Sequence, residues 1–341
     1  MNSLGRITAT LQGKPADRTP VIAQVFGHAA TACGVDLGVY LRDGAVLARC
    51  QIEALHRYGY DAVFALMDTS VETEAAGSVL KYTARDYPTV RSYALANPDD
   101  LDQLAVPDPL RTGRMPELLK AARLLRKEVG GGTLVVGCVL GPLTITTQLM
   151  GMQNALYLAV DEPDRFGEIL DYATEVAREF GNAQLDAGVH LPVVFDPSAS
   201  PAVIPPSFFR EFELPRLKSL FDGSKARGSA ANWLHIAGPA APILPFYPEA
   251  GVDIANFDYP VSAVEAKAAL PATCLDGNIM PLSFVEADPA GIAREAHRLL
   301  DQFAGRGRFI LSSGCEIPPE SRPENIEAMV RAAQSRAQDR E

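Results

Sequence analysis

The sequence predicts an α/β fold, a (β/α)8 or TIM barrel, and three observations carry that expectation. Short β-branched runs alternate along the chain with longer stretches of helical periodicity, the pattern of parallel βα units. Eight such runs can be counted, the number that closes a barrel. The stretch that follows the start of the first run, Gln24-Val-Phe-Gly-His-Ala-Ala, carries neither a G-x-G-x-x-G fingerprint nor a phosphate loop, one of which an open doubly wound sheet ordinarily places there.

The strand candidates, in order, are Thr19 to Val25, Ala62 to Met67, Thr133 to Leu140, Leu191 to Pro197, Ala230 to Ala237, Val252 to Phe257, Ala272 to Asn278 and Arg308 to Gly314. The helical stretches between them are Leu37 to Tyr58, Met115 to Val129, Asp164 to Ala187, Pro206 to Phe221, Pro239 to Ala250, Val264 to Leu270 and Gly291 to Phe303. The segment Asp68 to Leu110 breaks the alternation, and an inserted hairpin is expected in it, Ser78 to Tyr82 pairing with Thr89 to Tyr93. A last helix, Arg322 to Gln334, runs past the final strand, and the polar tail Ser335 to Glu341 is expected to fray. With a short N-terminal extension, residues 1–341 read as a single barrel domain.

Composition narrows the function classes. Of 341 residues, 47% are hydrophobic and 21% charged, enough to bury a large core without staples. The net charge of −11, with no basic face or helix and a single Trp, excludes a nucleic-acid partner. No basic region followed by an apolar run opens the chain, and no window reaches the roughly 20 apolar residues that span a bilayer, so a cytoplasmic, membrane-free protein is expected. Five dispersed cysteines, an odd number, do not form a disulfide framework. Cys50 and Cys138 read as small core residues, and Cys33 and Cys274 carry no partner pattern.

In a barrel, reactive groups project from the C-terminal ends of the strands. There the sequence places Asp68, Glu72 and Glu74, then Gly141-Pro142, Asp196-Pro-Ser198-Ala-Ser200, His235-Ile-Ala237-Gly238, Asp258, Gly277-Asn278 and Ser312-Ser-Gly-Cys315-Glu316. His235 and Cys315 end two strands that can face each other across the mouth, and imidazole with thiolate is a natural zinc pair. Two donors do not make a site. A carboxylate from Asp258, Glu316 or the Glu72/Glu74 loop would have to complete it, so His235 has two open readings, ligand or hydrogen-bonding pocket residue. Asp196, stiffened by Pro197, is placed for substrate binding or acid/base work, or else caps a turn. His28 follows the first strand within reach of the pocket; His56, His190 and His297 read as capping or surface groups.

These strand-end motifs resemble the uroporphyrinogen decarboxylase-like superfamily, in the branch of corrinoid-dependent methyltransferases that includes methylcobalamin:coenzyme M methyltransferases. The resemblance runs over nearly the whole chain and rests on Asp68-Thr-Ser-Val-Glu72-Thr-Glu74-Ala-Ala-Gly77, Gly141-Pro-Leu-Thr144, Asp196-Pro-Ser-Ala-Ser200, Leu234-His-Ile-Ala-Gly238, Leu275-Asp-Gly-Asn278 and Phe309-Ile-Leu-Ser-Ser-Gly-Cys315-Glu-Ile-Pro318, then Pro323-Glu-Asn325. It implies a zinc ion held by a His-x-Cys pair after the fifth strand and a Cys after the eighth, which favours the thiolate of a thiol acceptor. His235 and Cys315 match that set, whereas Ala237 stands where the family has its first cysteine.

The resemblance further implies methylcobalamin or another corrinoid carried by a partner protein, a small methyl acceptor (thiol or tetrahydrofolate-type), and leaves a homodimer open. On this reading His235, Cys315 and Asp196 are the catalytic candidates, with His235 and Cys315 as metal candidates. Glu74 (at the pocket floor), Ser198, Asn278, Ser312 and Asp258 are candidates for contacting the substrate. Two other readings stay open: a metal-free lyase or decarboxylase, and a non-catalytic relative that binds a corrinoid protein. A porphyrinogen decarboxylase fits less well, because Val21 to Cys33 offers no Arg or Lys to grip a polyanion.

Overall fold

A computed structural model of the chain describes residues 1–83 and 86–338. In chain order its strands are β1 (Val21–Ile22), β2 (Ala62–Phe64), β3 (Val79–Lys81), β4 (Thr89–Ser92), β5 (Leu134–Leu140), β6 (Leu191–Phe195), β7 (Trp233–His235), β8 (Ile254–Asn256), β9 (Cys274–Ile279) and β10 (Phe309–Ser313). The short β3 and β4 pair antiparallel with each other. The other eight form one parallel sheet in the order β1-β10-β9-β8-β7-β6-β5-β2. Its two end strands meet: Asp61 N donates to Val21 O at 2.7 Å. The sheet thereby closes into the expected eight-stranded barrel.

Every residue of the eight barrel strands is buried. Strands covered on both sides need apolar residues at consecutive positions, which is why they stand out as continuous runs rather than as alternating ones. The hairpin strands are mostly exposed and lie off the barrel, as the break in the pattern predicts. Residues 84–85 of the hairpin lie outside the described residues. The first strand is shorter than its run, since Pro20 has no amide to donate and Val25 N turns back to Ala23 O at 2.8 Å.

The helices depart further from expectation. The stretch Leu37 to Tyr58 breaks into Leu37–Tyr40 and Gly44–Tyr58, because Asp43 caps the second piece by accepting from Ala45 N at 2.8 Å. Gly44 is required at that corner, where any Cβ would overlap the carbonyl oxygen of Glu117. Of Pro239 to Ala250 only Leu244–Ala250 winds, because a tight turn from Ala240 N to Gly238 O, with Gly238 at φ 87°, uses up the first residues. Pro206 to Phe221 contains a π turn over Phe209–Glu213 and continues to Ala226.

Met115–Val129, Pro163–Asp186, Ala263–Ala269 and Pro289–Gln302 lie where periodicity puts them. Among the helices not foreseen are Ser3–Leu11, capped by Asn2, the pair Pro142–Met150 and Met152–Asp161, and the short Gly27–Ala32, Val71–Ala75 and Ser283–Glu286. The Thr- and Ile-rich start of Pro142–Met150 has low helix propensity, and burial of almost every residue in it overrides that preference. The last helix, Pro323–Gln338, continues into the segment expected to fray; residues 339–341 lie outside the described residues. Among the described residues no helix is long and apolar enough to cross a membrane.

The seam between β1 and β2 is closed mainly by a side chain. Asp61 is fully buried and accepts from Val21 N at 2.8 Å, from Arg18 at 2.8 and 3.0 Å and from Arg6 at 2.6 Å. Arg6 also grips Asp17 at 2.7 and 2.8 Å, which docks the helix Ser3–Leu11 under the barrel. Removing this buried anion takes a partner from two guanidinium groups and an amide. Asp61→Ala is therefore expected to lower stability by about 3–5 kcal/mol, read as a shift of the urea midpoint; an unchanged midpoint would show that the seam does not depend on this carboxylate.

Candidate active site

At the carboxyl ends of the strands the loops enclose a cavity of about 160 Å³. Phe26, Leu66, Phe195, Pro197 and Ala237 give it apolar walls; Asp68, Thr69, Tyr87, His235, Cys315 and Glu316 supply its polar groups. β7 brings His235 and the loop after β10 brings Cys315, so two residues far apart in sequence line one space, as their strand ends suggested. Closure at β1 and β2 adds Phe26, Leu66 and Asp68 to the same rim.

His235 is 2% exposed, with its ring 4.4 Å from that of Phe195. Neither ring nitrogen has a partner among the described residues. Burial holds its pKa down to about 3, so the imidazole stays neutral at ordinary pH and keeps a lone pair and an N–H to offer a ligand. Burial also pushes the Cys315 thiol up to about 12, with Asp258 and Glu316 adding repulsion. Glu316 is raised to about 7 by burial, against the Tyr87 hydroxyl, which donates to Oε1, and Gly27 N, which reaches Oε1 at 3.2 Å. Neither donor reaches its second oxygen.

The remaining candidates from the sequence hold the rim and do not line the cavity. Glu74, expected at the pocket floor, is taken instead by Arg114 Nε at 2.6 Å and the Tyr82 hydroxyl at 2.5 Å. The same Arg114 pairs with Asp68 and reaches Leu41 O at 3.1 Å, so one guanidinium ties the loop after β2 to the next two helices. Asp196 is fully buried: Oδ1 accepts from Thr144 N at 2.9 Å and Thr144 Oγ at 2.6 Å. Burial raises its carboxyl and that of Glu213 from the π turn; the Asp196 charge raises Glu213 further, whereas the interaction with Glu213 and the Thr144 donors hold Asp196 back.

Ser198 meets Thr147 Oγ at 2.9 Å, Asn278 donates to Val261 O at 2.8 Å, and Ser312 is buried with its hydroxyl unpartnered among the described residues. Asp258 accepts from Gly238 N at 2.8 Å and Tyr259 N at 2.7 Å. His28 lies away from the cavity, between the Tyr58 hydroxyl at 2.8 Å and Pro319 O at 3.1 Å. Tyr87 was missed altogether. It enters from the inserted hairpin, and no spacing in the sequence announces that a surface insertion folds over the mouth.

The donor set does not fit a zinc ion of the kind the resemblance implies. His235 and Cys315 supply two donors, and the third position supplies the methyl group of Ala237. Among the described residues no group of three His, Cys, Asp or Glu side chains could hold a metal. The nearby carboxylates are committed: Asp68 to Arg114 and Ser70, Asp258 to two amides, and one oxygen of Glu316 to Tyr87.

The chain matches the family model described as uroporphyrinogen decarboxylase over residues 2–336. It is 30% identical to a methylcobamide:CoM methyltransferase of Methanosarcina barkeri, with 96% of each chain covered. It is 26% identical to a uroporphyrinogen decarboxylase of Trichlorobacter lovleyi, covering 93% of this chain and 94% of the relative. In three dimensions it resembles a methyltransferase from Methanosarcina mazei with a TM-score of 0.89 at 27% identity, over 98% of this chain and 99% of the other.

Two carboxyls beneath the site give a test of its electrostatics. Burial pushes both Glu72, which accepts from Leu140 N, and Asp276, which accepts from Asn256, up to about 7. Because the folded state holds these protons more tightly than the unfolded chain, their stabilisation is complete below about pH 4 and is lost as the pH rises through about 7. The Glu72→Gln/Asp276→Asn variant is expected to gain on the wild type in melting temperature between pH 5 and 8. A gap that stays constant over that range would show that neither group titrates there.

Proposed function

The chain belongs to the uroporphyrinogen decarboxylase family, and from that premise we propose that it is a methyltransferase, taking a methyl group from a methyl-corrinoid on a partner protein and passing it to a small acceptor. The methyltransferases it resembles along almost their whole length support this reading. The observation that carries it is the pair of unpartnered nitrogens on buried His235, a residue that lines a mostly apolar cavity at the barrel mouth. Buried polar atoms without partners cost stability, so a site that keeps two of them is built for a ligand.

In the reaction the methyl group leaves cobalt without its bonding electrons, which stay on the metal of the donor, and a lone pair of the acceptor forms the new bond. What this protein adds is placement. Phe26, Leu66 and Phe195 exclude water, His235 holds the acceptor by a hydrogen bond, and Cys315 closes the opposite wall. The open oxygen of Glu316, whose pKa burial raises to about 7, can take the proton that the acceptor gives up. Asp196, Ser198, Asn278, Asp258 and Glu74 act at one remove, holding the loops that carry these groups. No step is routed through zinc, since the donor set is one short.

A porphyrinogen decarboxylase is disfavoured by the cavity itself. None of its lining residues is Arg or Lys, and the nearby Arg114 is spent on Asp68 and Glu74.

The protein mixed with methylcobalamin and a thiol or tetrahydrofolate is expected to convert the methylcobalamin spectrum to that of the demethylated corrinoid. His235→Ala should slow the conversion on the order of 10²-fold through lost positioning. Folded protein that converts nothing with either acceptor, or a His235→Ala variant as fast as the wild type, would overturn the assignment.

A further inference from the structure

The family-type site activates a thiol by turning it into a metal-bound thiolate, and this cavity has no means of doing so. Residue 237 is held from both sides: Ser200 Oγ donates to Ala237 O at 2.8 Å, and Gly238 N donates to Asp258 at 2.8 Å. The backbone there is locked, so the Ala237 methyl lines the cavity and no neighbour can swing in to replace it. No Lys or Arg is among the described lining residues, and the acidic ones are Asp68, whose charge is already met by Arg114, and Glu316. Anionic sulfur in such a space would lose its water with no free cation beside it among the described residues.

A neutral nitrogen is nucleophilic without ionising. It would also find complementary partners here, because His235 has two unpartnered ring nitrogens, one able to donate and one to accept. Building on the methyl-transfer reading above, we infer that the acceptor is an uncharged amine or ring nitrogen held by His235 without a metal, and that Ala237 is the specificity-determining residue that excludes zinc-activated thiols. The nitrogen lone pair forms the N–CH3 bond, the cobalt–carbon electron pair stays on cobalt, and the cationic product nitrogen releases its proton to the open oxygen of Glu316.

The test uses full-length protein, methylcobalamin as donor, and two probes: tetrahydrofolate as the nitrogen acceptor and 2-mercaptoethanesulfonate as the thiol. Zinc per chain is measured after dialysis against zinc and then buffer. The wild type should retain well under one zinc per chain, methylate the nitrogen acceptor at least 10-fold faster than the thiol, and keep that rate after chelation. Ala237→Cys should retain about one zinc per chain and gain at least 10-fold with the thiol. Cobalt(II) bound to this variant should show sulfur-to-cobalt absorption; Ala237→His is the companion variant should the cysteine variant misfold.

Stoichiometric zinc in the wild type that Cys315→Ala abolishes, or a thiol that outruns tetrahydrofolate, would overturn the inference. So would zinc-free Ala237→Cys and Ala237→His proteins that remain folded. If the wild type methylates neither acceptor, the methyltransferase reading fails and the nitrogen-acceptor inference falls with it, whereas the zinc measurements still decide the role of Ala237.

Discussion

The architecture depends on one buried carboxylate. A barrel has no free edge only if the two end strands of its sheet meet, and here β1 is two residues long and meets β2 through a single backbone hydrogen bond. Asp61 makes up the deficit by gathering Val21 N, Arg6 and Arg18 around one fully buried side chain. The charges stay favourable in the interior because every oxygen has a donor, the condition under which a buried ion pair holds. Once the seam is shut, the C-terminal ends of eight strands must converge on one opening, and residues from positions 26 to 316 come to share one cavity.

A second economy governs the mouth. Polar side chains crowd the strand ends, yet most of them are used up in holding loops. Arg114 clamps Asp68 and Glu74, Asp258 receives two amides, Asn278 ties down Val261, and Asp196 receives the amide and hydroxyl of Thr144. What remains free to meet a ligand is small in number: the two nitrogens of His235, the thiol of Cys315 and one oxygen of Glu316. A rigid polar frame around an apolar hollow with few convergent groups suits a reaction whose catalysis is mainly placement.

Much of this was legible in the sequence. Barrel strands buried on both faces must be apolar at consecutive positions, so all eight could be read without any structure, and His235 and Cys315 could be found because strand ends in a barrel point to its mouth. The net charge, the dispersed cysteines and the substitution at Ala237 are likewise matters of sequence alone. They bound the partner chemistry and remove a metal donor before any coordinate is known.

Tertiary structure decided the rest, because it depends on which groups meet. The helix Pro142–Met150 exists against its propensity because burial favours it, and the break before Gly44 exists because another helix backbone passes there. A carboxylate at a strand end looks the same in sequence whether it faces substrate or a neighbour. Asp196 turned to Thr144 and Glu213, Glu74 turned to Arg114, and Tyr87 arrived from an insertion. The sequence determined which chemistry was available; packing determined which of it was left unpaired, because a side chain's partners are set by distances that only the closed barrel creates.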